Sequence, residues 1–261
     1  MVRPKKSLGQ HFLKDENIAR KIAGCLDPKI PAVLEIGPGT GILTTQILAD
    51  PAFDLQVIEI DRESVGYLAS HFPELKGRII SGDFLTFDLS TIGHPASGIQ
   101  IIGNFPYNIS SQILFRVLEF RHLVPQVTGM FQKEVAGRIA SPPGSKQYGI
   151  LSVLLQAFYD IEYLFTVSES VFFPPPKVKS AVIRLRRNAV ATLDCDETLF
   201  RTVVKTAFNQ RRKTLRNSLR GLIEGYSGEF PGMFSLRPEQ LSVTRFEELT
   251  RWVAAHSGKN S

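Results

Sequence analysis

The chain has 261 residues and a mass of 29.1 kDa, a length that predicts one main domain with a smaller appendage. Hydrophobic residues make up 43% and charged residues 21%, a globular composition that excludes disordered, collagen-like and coiled-coil proteins. The formal net charge is +6, which favours a polyanionic partner. The two cysteines, Cys25 and Cys195, exclude a disulfide framework and a cysteine-rich zinc site, and we expect no metal requirement.

The N-terminal segment, MVRPKKSLGQHF, is basic but lacks the apolar run that follows in a signal peptide. No later stretch approaches the ~18 apolar residues of a membrane-spanning helix. The sequence therefore predicts a soluble, cytoplasmic protein in which both thiols stay reduced.

Short apolar segments then alternate with helical segments. The predicted strands are 32–36, 55–60, 78–81, 99–103, 126–131 and 180–185, and the predicted helices between them are 40–49, 62–70 and 110–120. This alternation predicts an α/β fold with a mainly parallel sheet and helices on both faces. Ligands of such sheets bind at the carboxyl ends of the strands.

The pattern changes after Arg187 to helical segments with Gly and Pro between them, at 197–209, 213–223 and 245–256. We therefore predict an α/β domain over 1–187 and a small α-helical domain over 188–261. Residues 186–261 hold 13 Lys/Arg against 8 Asp/Glu, and Thr198–Ile223 holds seven bases and no acid. This excess predicts a surface for a polyanionic partner, although a solvated helix face gives the same pattern.

A glycine-rich segment, Glu35–Gly41 (EIGPGTG), follows a buried strand and begins a helix, as a nucleotide-binding loop does. Its third glycine comes one residue too early for a dinucleotide fingerprint, which disfavours NAD. Glu59 ends the next strand, where an acid can accept hydrogen bonds from both hydroxyls of an adenosine ribose. Asp83 follows the third strand, where it can accept the adenine amino group or simply cap a turn. The whole pattern resembles the class I methyltransferases that use S-adenosylmethionine.

The tetrapeptide Asn104-Phe105-Pro106-Tyr107 follows the fourth strand. The Asn104 side-chain oxygen and the Phe105 carbonyl can together accept both hydrogens of an adenine N6, which is otherwise a poor nucleophile. Pro106 fixes the turn, and Tyr107 offers a face on which a flipped base can stack. An ordinary strand-to-turn junction has a similar composition. The tetrapeptide resembles the N-x-P-Y signature of amino-directed nucleic-acid methyltransferases.

Two more segments, 7–13 (SLGQHFL) and 172–180 (FFPPPKVKS), resemble the G-Q-x-F-L and F-x-P-x-P-K-V-x-S signatures of ribosomal RNA adenine dimethyltransferases. The resemblance covers essentially the whole chain and is strongest to the small-subunit branch of the family. It implies a Rossmann-like class I sheet with a small C-terminal helical domain. It also implies methyl transfer from S-adenosylmethionine to N6 of two adjacent adenines in a hairpin near the 3′ end of small-subunit rRNA, during late subunit biogenesis.

The resemblance also implies site residues. For cofactor binding these are His11, Leu13, Gly37, Glu59, Asp83 and Asn104; for catalysis they are Asn104, Phe105, Pro106, Tyr107 and Phe172. Phe172 would stack on the other face of the target adenine, and Lys177 would approach RNA phosphate. A phenylalanine ahead of three prolines is expected at the surface, although core packing is the alternative for Phe172. His11 stands where the family often has asparagine, and it can instead pack the N-terminal arm.

In the C-terminal domain an apolar stripe and a basic stripe are predicted to adjoin on one helical surface. The apolar stripe is Phe208, Leu215, Leu219 and Leu222, and the basic one is Lys205, Arg212, Arg216 and Arg220. The apolar side chains can then dock while the bases contact the RNA backbone.

Other functions remain open at this point. A sister enzyme acting on large-subunit rRNA, or a DNA adenine methyltransferase, would share the cofactor loop and the N-x-P-Y signature. The chain could also be chiefly an RNA-binding assembly factor with secondary catalysis. A NAD-dependent oxidoreductase is disfavoured by the glycine spacing. We expect the partner to be small-subunit rRNA within a pre-ribosomal subunit, and the protein to be a monomer.

Overall fold

A computed structural model describes residues 2–93 and 96–257. Its strands are β1 Phe12–Leu13, β2 Ala32–Ile36, β3 Asp54–Glu59, β4 Ile79–Ser81, β5 Gln100–Asn104, β6 Gln126–Gln132, β7 Tyr159–Val167, β8 Phe172–Phe173 and β9 Ser180–Arg187. Its α-helices are α1 Glu16–Ala23, α2 Ile42–Leu48, α3 Arg62–His71, α4 Ser110–Glu119, α5 Lys133–Ala140, α6 Ile150–Gln156, α7 Glu197–Asn209, α8 Leu215–Ser218 and α9 Val243–His256. Short 3-10 turns connect several of these elements.

Within the described residues, the main sheet has the strand order β4-β3-β2-β5-β6-β9-β7. The first five strands in this order pair in parallel, and β9 pairs antiparallel with β6. Residues of β2, β5 and β6 are buried almost throughout, as expected for central strands covered on both faces. The predicted α/β fold is therefore confirmed, and the carboxyl ends of the parallel strands bring their loops to one edge of the sheet. A separate two-stranded sheet pairs β1 antiparallel with β8.

The turn after β2 depends on glycine. Gly37, Gly39 and Gly41 have φ angles of 67°, 57° and 80°, in the left-handed region that favours glycine. Gly41 is the N-cap of α2, and a Cβ at this position would overlap the Phe72 ring. Side chains larger than hydrogen are therefore excluded at Gly41 both by backbone strain and by packing.

Glu35 is a buried carboxyl group in the central strand β2. It accepts a hydrogen bond from Thr44 Oγ1 in α2 at 2.6 Å. Burial raises the pKa of Glu35 to about 8, and the nearby charge of Glu59 acts in the same direction against the Thr44 hydrogen bond. The carboxyl group is thus held largely neutral near neutral pH, and it links the sheet to the helix that follows the glycine-rich turn.

The chain divides into two compact units, Met1–Ala136 with Asp160–Arg187, and Gly137–Tyr159 with Asn188–Ser261. The sequence-based division was 1–187 and 188–261, so the two differ in 137–159, which belongs with the C-terminal helices. Residues 137–159 group with the second unit because they contact residues of its C-terminal part. The Tyr148 ring lies 6.2 Å from that of Phe208, and the Gly144 amide donates to the Glu239 carbonyl at 2.6 Å.

Several parts of the secondary structure differ from the sequence-based prediction, which did not include α1, α5, α6, β1 or β8. The helix predicted at 213–223 is shorter, because α8 ends at Ser218 and a 3-10 turn, Arg220–Leu222, follows. Strand β7 was also missed. Its residues alternate between apolar and polar over 159–163, but Leu164 and Phe165 interrupt this alternation.

Within residues 2–93 and 96–257, no helix is long and apolar enough to cross a membrane. The same stretches contain no group of three or more His, Cys, Asp or Glu side chains able to hold a metal ion.

We predict that Glu35→Gln makes stability less dependent on pH. The raised pKa of Glu35 means that its stabilising effect is complete below the unfolded value of 4.5 and is lost as the pH rises through about 8. Glutamine keeps an acceptor for Thr44 but does not ionise. The midpoint of urea unfolding, measured from about pH 5 to 8, should therefore fall less in the variant than in the parent. The exposed Glu74→Gln serves as control, and an identical pH profile for Glu35→Gln and the parent would contradict this role.

Candidate functional site

A cavity lies at the carboxyl edge of the main sheet, within the first unit. Its lining is made by residues 8–12, 36, 37, 39, 58–60, 82–85 and 104–109. These segments are the N-terminal arm and the loops that follow β2, β3, β4 and β5. The cavity therefore collects eight of the predicted site residues: His11, Gly37, Glu59, Asp83, Asn104, Phe105, Pro106 and Tyr107.

Glu59 faces the cavity from the end of β3. Its Oε2 accepts from the Gly39 amide at 3.1 Å and its Oε1 from the Asp61 amide at 2.9 Å. Burial raises the pKa of Glu59 despite these hydrogen bonds. Each carboxylate oxygen has two lone pairs, so both can accept a further hydrogen bond from a ligand hydroxyl. Gly37 has open space where a Cβ would stand, so a ligand can approach its backbone closely.

Asp83 lies in the loop after β4. Its Oδ1 accepts from the Leu85 amide at 2.9 Å, so the residue does shape a turn. Asp83 is nonetheless one of the residues that line the cavity, so its turn role and its predicted ligand role are compatible. Ile60 also lines the cavity and is 51% exposed, a large apolar side chain that can cover the flat face of a ring. Sequence reasoning missed Ile60, and its position directly after Glu59 was the available signal.

Asn104 ends β5, and its amide orientation is fixed by the N-terminal arm. The Asn104 Nδ2 donates to the main-chain carbonyl of His11 at 2.9 Å. A carbonyl only accepts hydrogen bonds, so the NH₂ group must face His11. The Asn104 Oδ1 therefore remains available to accept a hydrogen bond, as the predicted role requires.

The Phe105 side chain is an anchor rather than part of a binding surface. It is buried and packs edge-on against Phe131 with ring centroids 5.1 Å apart. Room for the ring comes from two glycines: a Cβ at Gly103 would lie 2.7 Å from it, and one at Gly129 would overlap it. The Phe105 amide donates to the Met130 carbonyl at 3.2 Å. Ring and amide thus fix the backbone from which the Phe105 carbonyl projects.

Tyr107 is half-buried at the cavity, and its hydroxyl shares a hydrogen bond with Ser180 Oγ at 2.5 Å. Desolvation raises the pKa of Tyr107 against the effect of this hydrogen bond. The His11 ring stacks on Tyr107 at a centroid distance of 5.4 Å and an interplanar angle of 30°. His11 Nδ1 is 2.7 Å from the Pro174 carbonyl, to which it must donate. The His11 side chain thus packs between two segments of the site.

The N-terminal arm, residues 5–13, forms one wall of the cavity. A Cβ at Gly39 would lie 2.8 Å from the Phe12 ring, so Phe12 rests on the glycine-rich turn. A Cβ at Gly9 would lie 2.5 Å from Asn108 Oδ1, so the arm also packs closely against the loop after β5. The arm therefore contacts both loops that carry the predicted cofactor and substrate residues.

An ion pair fastens the beginning of the arm. Lys5 Nζ bonds to Asp61, and lies 3.7 Å from Glu63 Oε2. Burial disfavours the charged form of Asp61, but the hydrogen bond and charge of Lys5, together with hydrogen bonds from the Glu63 amide and Ser64, outweigh it and lower the Asp61 pKa. Asp61 is also the N-cap of α3, so the arm is tied to the element that follows Glu59.

Two predicted site residues lie outside the cavity lining. Phe172 was expected at the surface, and this is wrong: it is 1% exposed and packs in the hydrophobic core. Leu13, its partner across the β1–β8 pair, is buried in the same core, so its side chain has a packing role. Successive side chains of a strand point to opposite faces, which explains why Phe173 is 61% exposed instead. Phe173 pairs with Phe12, a cavity-lining residue.

In the second unit, the predicted separation of apolar and basic side chains holds for most positions. Phe208, Leu215 and Leu219 are buried, whereas Lys205, Arg212, Arg216 and Arg220 are exposed. Leu222 is only partly buried, because it lies in the 3-10 turn that replaces the end of the predicted helix. The Arg216 guanidinium lies over the Phe230 ring at 4.8 Å.

The family model described as Ribosomal RNA adenine dimethylase matches residues 1–231. A protein of Parabacteroides distasonis is 58% identical over 100% of this chain and 98% of its own length. One of Porphyromonas gingivalis is 59% identical over 95% of this chain and 97% of its own length. Both carry the name Ribosomal RNA small subunit methyltransferase A.

Solved structures agree at the level of the fold. A dimethyladenosine transferase from Plasmodium falciparum has a TM-score of 0.76 at 24% identity, covering 94% of this chain and 98% of that one. The 23S rRNA methyltransferase ErmE has a TM-score of 0.64 at 28% identity, covering 92% and 99%. From the family match over residues 1–231 and the full-length relatives above half identity, the chain belongs to the ribosomal RNA adenine dimethylase family.

Proposed function

We propose that this enzyme dimethylates N6 of two adjacent adenines in a hairpin near the 3′ end of small-subunit rRNA, during late subunit biogenesis. Its family acts on ribosomal RNA adenine, and the names of its full-length relatives support the small subunit as the target. The observation that supports this chemistry is the orientation of the Asn104 amide, whose Nδ2 donates a hydrogen bond to the His11 carbonyl. Its Oδ1 and the Phe105 carbonyl then form an acceptor pair for the target amino group.

The family and the class I fold imply the use of S-adenosylmethionine. The cavity fits this cofactor, because Glu59 has unused lone pairs and Gly37 leaves its backbone open. Glu59 would hold the ribose hydroxyls, Asp83 the adenine amino group, and Ile60 the adenine face, with Gly37 and the arm at His11 around the rest. When bound, the cofactor supplies an electrophilic methyl group carried on a sulfonium sulfur.

The chain's own residues prepare the amino nitrogen for attack. Accepting both N6 hydrogens at Asn104 Oδ1 and the Phe105 carbonyl favours the pyramidal nitrogen, whose lone pair is otherwise delocalised into the ring. Pro106 fixes the turn between these two groups and Tyr107. Catalysis then depends mainly on the orientation of the two bound partners, so no strong base is needed at this position.

Base stacking involves Tyr107 and an aromatic residue of the segment 172–180. Because Phe172 is buried, we assign this second role to Phe173, which lies beside Phe12 on the two-stranded sheet. Lys177 is exposed in the same segment and can approach phosphate. The exposed bases of the second unit would supply salt-dependent affinity for the rRNA backbone.

A cytoplasmic location and a monomeric state remain part of the proposal, as does a pre-ribosomal small subunit as the bound partner. The large-subunit activity of ErmE is a second candidate, because its fold covers most of this chain. Relatives named for the small subunit share more than half of their residues with this chain, which favours the small-subunit activity. An assembly factor with secondary catalysis would not need the ordered acceptor pair at Asn104.

The test of this proposal is transfer of labelled methyl from S-adenosylmethionine to unmethylated small ribosomal subunits, with large subunits and DNA as parallel acceptors. Nucleoside analysis should find dimethyladenosine in the small subunit alone. Label on the large subunit would move the enzyme to the second candidate activity. Binding of small subunits without any label would favour the assembly factor.

In the same assay we predict that Asn104→Ala binds small subunits normally and methylates them at least ~10-fold more slowly, because an acceptor is removed. Asn104→Asp should also be slow, because one of its oxygens would face the His11 carbonyl without a hydrogen between them. Asn17→Asp, at an exposed position in α1, is the matched control. Full activity of Asn104→Asp would refute the assigned amide orientation.

Phe173→Ala and Phe172→Ala should separate binding from packing. Because Phe173→Ala removes a stacking face, it should raise KM for the subunit by ~10-fold or more. Its melting temperature should stay close to that of the parent. Phe172→Ala should lower the free energy of unfolding by about 3–5 kcal/mol, because it leaves a core cavity. Thermal unfolding and steady-state kinetics measure the two effects. An unchanged KM for Phe173→Ala would remove that residue from the binding surface.

Replacing Lys205, Arg212, Arg216 and Arg220 together by Gln should weaken the dependence of RNA affinity on salt. The plot of log K against log salt concentration has a negative slope. Its magnitude should fall by about one for each phosphate that the variant no longer neutralises. Filter binding over a range of KCl concentrations measures the slope. A variant with four exposed bases of the first unit, Arg20, Lys29, Arg62 and Lys76, replaced by Gln loses the same net charge and is the control. A slope equal to that of the parent would show that RNA binds elsewhere.

A further inference from the structure

Ser180 is the last residue of the segment 172–180 and the first residue of β9. It is fully buried, and its Cα pairs with that of Gln132 at the carboxyl end of β6. Serine at such a position has a hydroxyl that must find a partner, because an unpaired buried polar group is costly. That partner is the Tyr107 hydroxyl, at 2.5 Å.

This hydrogen bond joins two strands that are not neighbours. Tyr107 follows β5 and Ser180 begins β9, and β6 lies between them in the sheet. The phenol must therefore extend across the carboxyl end of β6 to reach Ser180. The ring is held at its tip by Ser180 and at its base by the backbone, so its two side-chain torsions are fixed.

One face of the same ring is already covered. The His11 ring stacks on Tyr107, and the donation from His11 Nδ1 to the Pro174 carbonyl holds that imidazole in place. The opposite face of Tyr107 is then the one on which we expect a flipped base to stack. The orientation of this face relative to Asn104 Oδ1 decides whether the target nitrogen meets its acceptors.

We propose that Ser180 is a positioning residue for the methyl transfer, acting through the Tyr107 hydroxyl to fix the face on which the target adenine stacks. This rests on the stacking role proposed above for Tyr107. The hydrogen bond connects the loop after β5 to the start of β9, and the arm contacts the same Tyr107 ring through His11. Small errors of orientation at such a site are costly, since an ångström of misplacement lowers rates by up to ~100-fold.

The second methylation should depend on Ser180 more than the first. An unmethylated N6 has two hydrogens for the Asn104 and Phe105 acceptors, but monomethylated N6 has one. Orientation of the monomethylated base therefore relies more on its stacking against Tyr107. A loosened Tyr107 ring should let monomethyladenosine accumulate.

The experiment is a double-mutant cycle with Ser180→Ala, Tyr107→Phe and the variant that combines them. Single-turnover methylation of small subunits gives the rates of the first and second transfers, and titration gives the affinity for S-adenosylmethionine. We expect each single change to raise the ratio of monomethyl- to dimethyladenosine by ~10-fold, with cofactor affinity unchanged. The combined variant should be no worse than either single one, because both remove the same hydrogen bond.

Tyr163→Phe is the matched control, since it removes a hydroxyl whose hydrogen bond to Thr166, at 2.8 Å, lies on exposed residues of β7. Thermal unfolding of each variant checks that the folded state persists at the assay temperature. Effects of Ser180→Ala and Tyr107→Phe that multiply, or a product ratio like that of the parent in Ser180→Ala, would overturn the positioning role. Tyr107→Ala separates the two hypotheses: full activity in that variant would instead contradict the proposed stacking role of Tyr107.

Discussion

The hydrogen bond from Asn104 Nδ2 to the His11 carbonyl is the interaction on which the site depends. It joins the N-terminal arm to the end of β5, although the two residues are far apart in the chain. It also decides which amide atom faces the cavity, and so converts an ambiguous side chain into a defined acceptor. The packing of the arm against Gly39 and Asn108, and the ion pair of Lys5 with Asp61, hold the His11 carbonyl where this bond can form.

Two buried acids under the glycine-rich turn have separate tasks. Glu35 is not among the residues that line the cavity, and it accepts a hydrogen bond from Thr44. Its raised pKa therefore belongs to a structural carboxyl group that joins β2 to α2. Glu59 lies at the cavity, and each of its oxygens accepts one hydrogen bond from a backbone amide. These two hydrogen bonds hold the Glu59 carboxyl group in one orientation at the cavity, whereas Glu35 connects the strand before the turn to the helix after it.

The segment 172–180 carries three kinds of side chain. Phe172 anchors it in the core, Phe173 and Lys177 are exposed to solvent, and Ser180 holds Tyr107 from within the sheet. A linear signature treats these positions as one motif, but the strand alternation and the burial of β9 divide them between the core and the solvent. The prediction that Phe172 lies at the surface was wrong because the three prolines after it indicate only that the segment is not helical. They do not indicate which face of β8 is buried.

The sequence determined the parallel sheet and the location of the site by itself, because strand and helix periodicity are local and the loops after parallel strands must meet at one edge. Glycine spacing, Glu59, Asp83 and the residues from Asn104 to Tyr107 therefore sufficed to place the cavity. Tertiary structure alone decided the Asn104 orientation, the burial of Phe172, the contact of Tyr107 with Ser180 and the grouping of residues 137–159 with the second unit. Each of these depends on packing between segments distant in the chain, and such packing leaves no periodic trace in the sequence.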